Sequence, residues 1–202
     1  NRGGALSSVM DITLKDGNAE KQAFKAVIGA SEVGVSASGH IGSRTTYIAS
    51  LRQSYLQMLF KLLGLPMMPN YIDGQFKIKS RLNDRNELTI IGLAGFDNLK
   101  LNQDPKDMAD EYLLSYLPKL KQETFTLGAS YKHFSQRHIQ TVSASYSYLN
   151  NRSLKYLDND ESRADNLILK TSGLEGKAQV RFENRSYYGA WTLREGAEAN
   201  MR

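Results

Sequence analysis

The most regular feature of the chain is an alternation of apolar and polar residues with a period of two. Ile72, Gly74, Phe76, Ile78 and Leu82 interleave with Asp73, Gln75, Lys77, Lys79, Arg81 and Asn83. An extended backbone puts the first set on one side and the second on the other. Residues 174–183 repeat the pattern, with Leu174, Gly176, Ala178, Val180 and Phe182 set against Glu175, Lys177, Gln179, Arg181 and Glu183. Phe125, Leu127, Ala129 and Tyr131, and then Val142, Ala144, Tyr146 and Tyr148, alternate in the same way with hydroxyl and lysine residues. Weaker alternation predicts further strands at 9–15, 22–31, 33–41, 45–55 and 87–97, and a last one from Ala190. The total is about ten strands, many of roughly 9 to 12 residues, near the length a tilted strand needs to cross a hydrocarbon layer.

The links between these segments differ in length. Short polar links fall at 42–44, 83–86, 135–138 and 185–189, and long ones at 56–70, 98–123 and 150–167. Short turns on one side and long loops on the other is the layout of outer-membrane barrels, with the turns periplasmic and the loops extracellular. Two loops carry helical signals. Asp104-Pro105 is a capping pair, after which Met108, Tyr112, Leu113, Tyr116 and Leu117 recur at helical spacing up to Pro118. Residues 55–63 are strongly apolar and stop at Gly64 and Pro66, which suits a helical turn above a strand.

Composition narrows the classes of function. No cysteine is present, which excludes a disulfide framework, a thiolate metal site and thiol catalysis. The 26 basic residues exceed the 21 acidic ones, for a formal charge of +5. They are scattered singly and form no stripe of the kind a nucleic acid needs. There is no long apolar run for a transmembrane helix. The mean hydropathy of −0.46 does not separate soluble from barrel proteins, because a membrane barrel is apolar only at every second position. The sequence contains no nucleophile elbow, Walker loop or dinucleotide fingerprint. His40, His133 and His138 are not at metal-binding spacing, and no cofactor is expected.

The stretch Arg2-Gly3-Gly4-Ala5-Leu6-Ser7-Ser8-Val9-Met10-Asp11-Ile12-Thr13-Leu14-Lys15 resembles the end of the plug domain of TonB-dependent outer-membrane receptors, where a glycine pair precedes the strand leading into the barrel. Residues 33–42, then 47–50 and Arg52-Gln53-Ser54-Tyr55-Leu56, look like that family's first barrel strands. Residues 71–82 and Arg181-Phe182-Glu183-Asn184 are also similar to it. The chain departs from many relatives where His40, and not proline, follows Gly39. The resemblance implies an all-β fold, an antiparallel transmembrane β-barrel segment. Residues 1–18 would end the plug, and residues 19–202 would form the N-terminal part of the barrel as an open meander. It also implies TonB-coupled import of a scarce nutrient such as a siderophore, cobalamin or an oligosaccharide. The implied partners are outer-membrane lipid, the TonB complex, a small-molecule or glycan ligand and a surface lipoprotein, with no nucleic acid and no enzymatic step. A passive porin or structural barrel is the alternative, followed by a soluble carbohydrate-binding β-sandwich.

In a barrel of this kind Arg52, Lys77, Lys79, Arg81, Lys177 and Arg181 would face the lumen, either holding an anionic ligand or pairing with the plug. An interior that is merely polar, neutralised by Asp73, Glu175 and Glu183, is the plainer expectation. Tyr112 and Tyr116 are loop residues that could touch a ligand, although a helix that simply packs the loop explains them as well. Tyr47, Tyr55, Tyr71, Tyr146, Tyr148, Tyr187, Tyr188 and Trp191 are expected near strand ends, as aromatic girdles.

Overall fold

The computed structural model describes residues 12–102 and 108–202. Nine antiparallel strands lie side by side in chain order: β1 (Ala23–Ile28), β2 (Glu32–Ile41), β3 (Thr45–Ser54), β4 (Met67–Asn83), β5 (Asn86–Leu101), β6 (Lys119–Phe134), β7 (His138–Tyr156), β8 (Leu167–Tyr188) and β9 (Trp191–Met201). The sheet is an open meander with β1 and β9 at its edges. Helix α1 (Leu56–Leu63) joins β3 to β4, and helix α2 (Met108–Tyr116) lies between β5 and β6. Two short 3₁₀ turns, Leu157–Asn159 and Ala164–Asn166, lie between β7 and β8.

Directly opposed residues of neighbouring strands point to the same side of a sheet, so the register decides whether each strand's alternation adds up. Here it does. One row runs Ala37, Ala49, Phe76, Gly92, Leu127, Tyr146, Ala178 and Met201, each the direct partner of the next from β2 to β9. The row one residue away, on the other side, runs Ser36, Ser50, Gln75, Leu93, Thr126, Ser147 and Lys177. One face of the sheet is therefore apolar and the other mainly polar, the exception being β5, which turns Ile91, Leu93, Leu99 and Leu101 to the polar side.

Among the described residues no second layer covers the apolar face. The buried large apolar side chains among them are Leu101 and Leu114, neither of them on this face, whereas Phe24 is 79 % and Leu174 67 % exposed. Nine strands about 4.8 Å apart, each carrying about four outward apolar residues, make a patch on the order of 800 Å². Soluble monomers rarely expose a patch beyond about 600 Å². A β-sandwich needs its apolar faces pressed together, and the described residues supply a single sheet.

The expected elements are present with four differences. Residues 12–15, the described part of the first predicted strand, join no ladder, which leaves nine strands; residues 9–11 lie outside the described residues. The longer strands outrun their alternating segments, β8 reaching 22 residues, because backbone pairing continues into polar stretches such as Asn150-Asn151-Arg152. The first connection, residues 29–31, is short although it lies at the same end as the long loops. Finally, Tyr146 and Tyr148 lie mid-strand and pack on Phe125, with ring centroids 5.9 and 5.1 Å away, while Tyr71 faces the polar side and donates to Glu32. Tyr188 and Trp191 do flank a turn, as direct partners across Gly189. Helix α1 ends at Gly64 in the left-handed conformation, as the sequence predicts. The Asp104-Pro105 cap lies outside the described residues.

Gly42 turns the chain between β2 and β3 at a φ of +61°, a conformation that costs other residues about 1–2 kcal/mol. Gly42→Val is expected to lower unfolding free energy by about that amount. Gly173→Ala, in the β8 strand with open space around it, should be neutral or stabilising by up to about 1 kcal/mol. Denaturant titration of the two variants in parallel checks the contrast.

Candidate functional site

The polar face gathers the predicted lumen residues. Arg52 on β3, Lys77, Lys79 and Arg81 on β4, and Lys177 and Arg181 on β8 all lie on it, because their ladder partners share its parity. They form two groups. Arg52, Lys77, Lys79 and Arg81 stand on adjacent strands, while Lys177 and Arg181 stand four and five strands away. The β6–β7 wall between the groups carries hydroxyls that bond one another, Thr126 to Ser147 and Ser130 to Ser143, both at 3.0 Å.

Carboxylates answer most of the cations. Arg52 Nε donates to Asp73 Oδ1 at 3.0 Å, and its Nη1 lies 3.8 Å from Glu32. Arg181 pairs with Glu183 at 2.5 Å and with Glu198 at 3.7 Å. Lys79 lies 3.5 Å from Glu87, a carboxylate nearly closed off from solvent. Lys177 and Arg81 have no ion-pair partner among the described residues. Asp73 and Glu183 thus pair with cations of the wall, whereas Glu175 has no ion-pair partner among the described residues.

Lys77 and Lys79 grip a segment that comes from before the sheet. Lys77 Nζ donates to the Leu14 carbonyl at 2.7 Å and lies 2.6 Å from Asp16 Oδ1; Lys79 Nζ donates to Asp16 Oδ2 at 2.8 Å. The Asn18 amide donates to Ser38 Oγ at 2.9 Å. A Cβ at Gly17 would run into the backbone of Tyr47, so only glycine lets the segment lie this close. Residues 12–15, which the alternation predicts as part of a strand, belong instead to a strap, residues 12–18, whose backbone is partly satisfied by side chains of the polar wall. Burial opposes ionisation of Asp16, but the hydrogen bonds from Lys77 and Lys79 outweigh it and hold the carboxyl below its ordinary value.

The loop residues are arranged differently. Tyr112 and Tyr116 lie together on α2, with ring centroids 4.9 Å apart, and both are exposed. The inward residue of that helix is Leu114, whose carbonyl accepts from Lys155 Nζ at 2.7 Å and from Asn159 at 3.1 Å. Lys155 has the parity of the polar face, so α2 is tied over that side of β7. Beside it a cavity of about 820 Å³ is lined by Glu111, Lys119, Asp158, Asp160 and Glu161, among others. A second groove of about 470 Å³ lies on the polar face between Arg52, Tyr71, Asp73, Gln75, Asp97 and Thr124. No cluster of His, Cys, Asp or Glu suited to a metal occurs among the described residues. His133 and His138 are engaged with Asn86 and Ser186. Comparison with protein-family models, with curated proteins and with solved structures finds no match.

Asp16, Glu32 and Glu87 are the site residues that sequence reasoning missed. Glu32 and Glu87 share the polar parity of their strands and could have been found from it. Asp16 belongs to no ladder, and no local pattern marks it.

The strap gives a prediction with a definite sign. Because the folded value of Asp16 lies below its free value of 3.8, its contribution is complete above that value and is lost as pH falls through the lowered one. A spin label at Asn18→Cys in the otherwise cysteine-free chain should be immobilised at neutral pH and released by strong acid or high salt. Asp16→Asn should release it at neutral pH and low salt. Equal label mobility in the two backgrounds would show that the ion pairs do not hold the strap.

Proposed function

We propose that the chain is part of a TonB-dependent outer-membrane β-barrel that imports a scarce nutrient. Residues 1–18 are the end of a plug and residues 19–202 the N-terminal barrel wall. The observation that carries this reading is the pairing of one uncovered apolar face with one charged face that grips a preceding segment of the same chain. Lipid tails cover an apolar face of this width without a second protein layer, and a wet interior suits the other. No helix among the described residues is long and apolar enough to cross a membrane, so crossing falls to the strands.

In this reading the short turns face the periplasm and the loops with α1 and α2 face outward. The strap at Leu14–Asp16 favours a plugged, gated barrel over an open porin, since an open pore has no need of an inner segment held by Lys77 and Lys79. The groove beside Arg52, Asp73 and Asp97, and the loop tyrosines Tyr112 and Tyr116, are the surfaces offered to a ligand. Selectivity lies in the loops, and transport in displacement of the plug by TonB. No bond of the ligand changes, so the protein is not an enzyme. Siderophore, cobalamin and oligosaccharide remain the ligand classes, and a surface lipoprotein is the proposed accessory partner.

The experiment is fractionation and uptake with the full-length gene product. It is expected in the outer membrane, extractable only with detergent, and ligand uptake should stop when TonB is deleted or the proton gradient is collapsed. Uptake indifferent to TonB would favour the passive porin. A product that stays dispersed in buffer without detergent would end the membrane reading.

A further inference from the structure

We propose that the apolar-face rim at the loop end of β5–β8 is a docking site for a membrane lipid with a phosphorylated headgroup. Besides Lys119, which pairs with Glu161, the cations there are four: Lys100, Lys121, Arg152 and Lys170. The register puts all four on the apolar face: Lys121 is the direct partner of Asn98 and of Arg152, Arg152 is the partner of Ser172, and Lys100 and Lys170 stand two residues further along their strands. They span four strands, about 14 Å, across the sheet.

Three observations point to an anion. First, Lys121 and Arg152 stand directly opposite each other, an arrangement that destabilises a sheet unless negative charge lies between them. Glu123 supplies one carboxylate, at 2.8 Å from Lys121 and 3.7 Å from Arg152. Lys100 and Lys170 have no ion-pair partner among the described residues, so a formal +3 is left over. Second, the opposite rim of the same face lacks this feature: between β5 and β9 its strand positions hold Asn86, His133, Gln140, Asn184 and Glu195, with no lysine or arginine. Third, the row beneath the cations runs Phe96, Glu123, Asn150 and Leu174, with Phe96 half exposed, and the next runs Ala94, Phe125, Tyr148 and Gly176, with no charge. Phosphates thus meet the cations while acyl chains run down the apolar face below them. Charge above grease, on one end only, matches a lipid and not a free anion.

This inference rests on the membrane reading, and the test keeps the two apart. The full-length protein is purified in mild detergent and examined by native mass spectrometry with cardiolipin, a two-phosphate lipid, and with phosphatidylcholine. Wild type should retain cardiolipin over phosphatidylcholine. The combined variant Lys100→Ser, Lys121→Ser, Arg152→Ser, Lys170→Ser should weaken cardiolipin binding at least about tenfold. A control carrying Lys25→Ser, Lys132→Ser and Arg194→Ser, cations of the polar face, should bind as wild type does. Equal retention by wild type and the rim variant overturns the proposal, as does displacement by millimolar inorganic phosphate, which would mark a free-anion site. A protein that stays monodisperse without detergent and retains neither lipid overturns the membrane reading as well.

Discussion

The structure depends on one constraint, the register that keeps every strand in phase with its neighbours. A strand's alternation is local, and a slip of one residue between any two strands would exchange the faces of everything beyond it. Across β2 to β9 no such slip occurs in the body of the sheet; the two irregularities, at Arg81/Asn83 and at Lys155/Tyr156, fall at strand ends. Ladders with both neighbours run along most of the interior strands, which leaves β1, β9 and residues 167–177 of β8, beyond the reach of β9, as edges. What remains to be covered is a side-chain surface. That surface has two characters, and the identity of whatever meets each face follows from this division.

The polar wall illustrates how fixed charge is tolerated at close quarters. Lys77, Lys79 and Arg81 stand at successive positions of one face, about 7 Å apart, where two like charges cost roughly 0.6 kcal/mol in water and about four times that near a protein surface. Glu87 from β5 and Asp16 from the strap answer this repulsion, and Asp73 does the same for Arg52. Asp16 is special because it is not part of the sheet. Removing the strap would return Lys77 and Lys79 to mutual repulsion, so the strap is held by a force that salt screens and acid abolishes. It is a fastening suited to release, unlike the ladders that hold the strands.

The sequence made most of the sheet legible. Period-two alternation in residues 72–82 and 174–183 placed β4 and β8 and assigned Lys77, Lys79, Lys177 and Arg181 to one face, because side-chain direction in a strand is a matter of parity alone. Strand length was less legible. β7 and β8 continue past their alternating cores through residues that are polar on both sides, where only pairing with the neighbouring strand defines the element. The strap differs from the predicted strand for the same physical reason: Ile12 and Leu14 alternate with Thr13 and Lys15 as a strand does, but a ladder needs a partner, and residues 12–18 find side chains. Nearness to a predicted strand end puts Tyr71 with the girdle, whereas its odd number on β4 puts it on the polar face beside Glu32. The Lys121–Arg152 opposition was invisible in sequence, since it exists only once β6 and β7 are in register.

The two faces also differ in how their charges are distributed, and this bears on what each can hold. On the polar face cations lie beside carboxylates within β3–β5 and within β8–β9, and the intervening β6–β7 wall presents hydroxyls bonded to one another. An object resting there is gripped at its sides by screened, reversible ion pairs and touched in the middle by neutral donors and acceptors that exchange readily with water. Nothing in that stretch would trap a solvated solute. The apolar face is the reverse, with grease across its middle and cations at a single rim. A sheet that merely had to stay in solution would gain nothing from concentrating unpaired lysines above exposed phenylalanines. Set between water and hydrocarbon, the same arrangement places each group in the medium that costs it least.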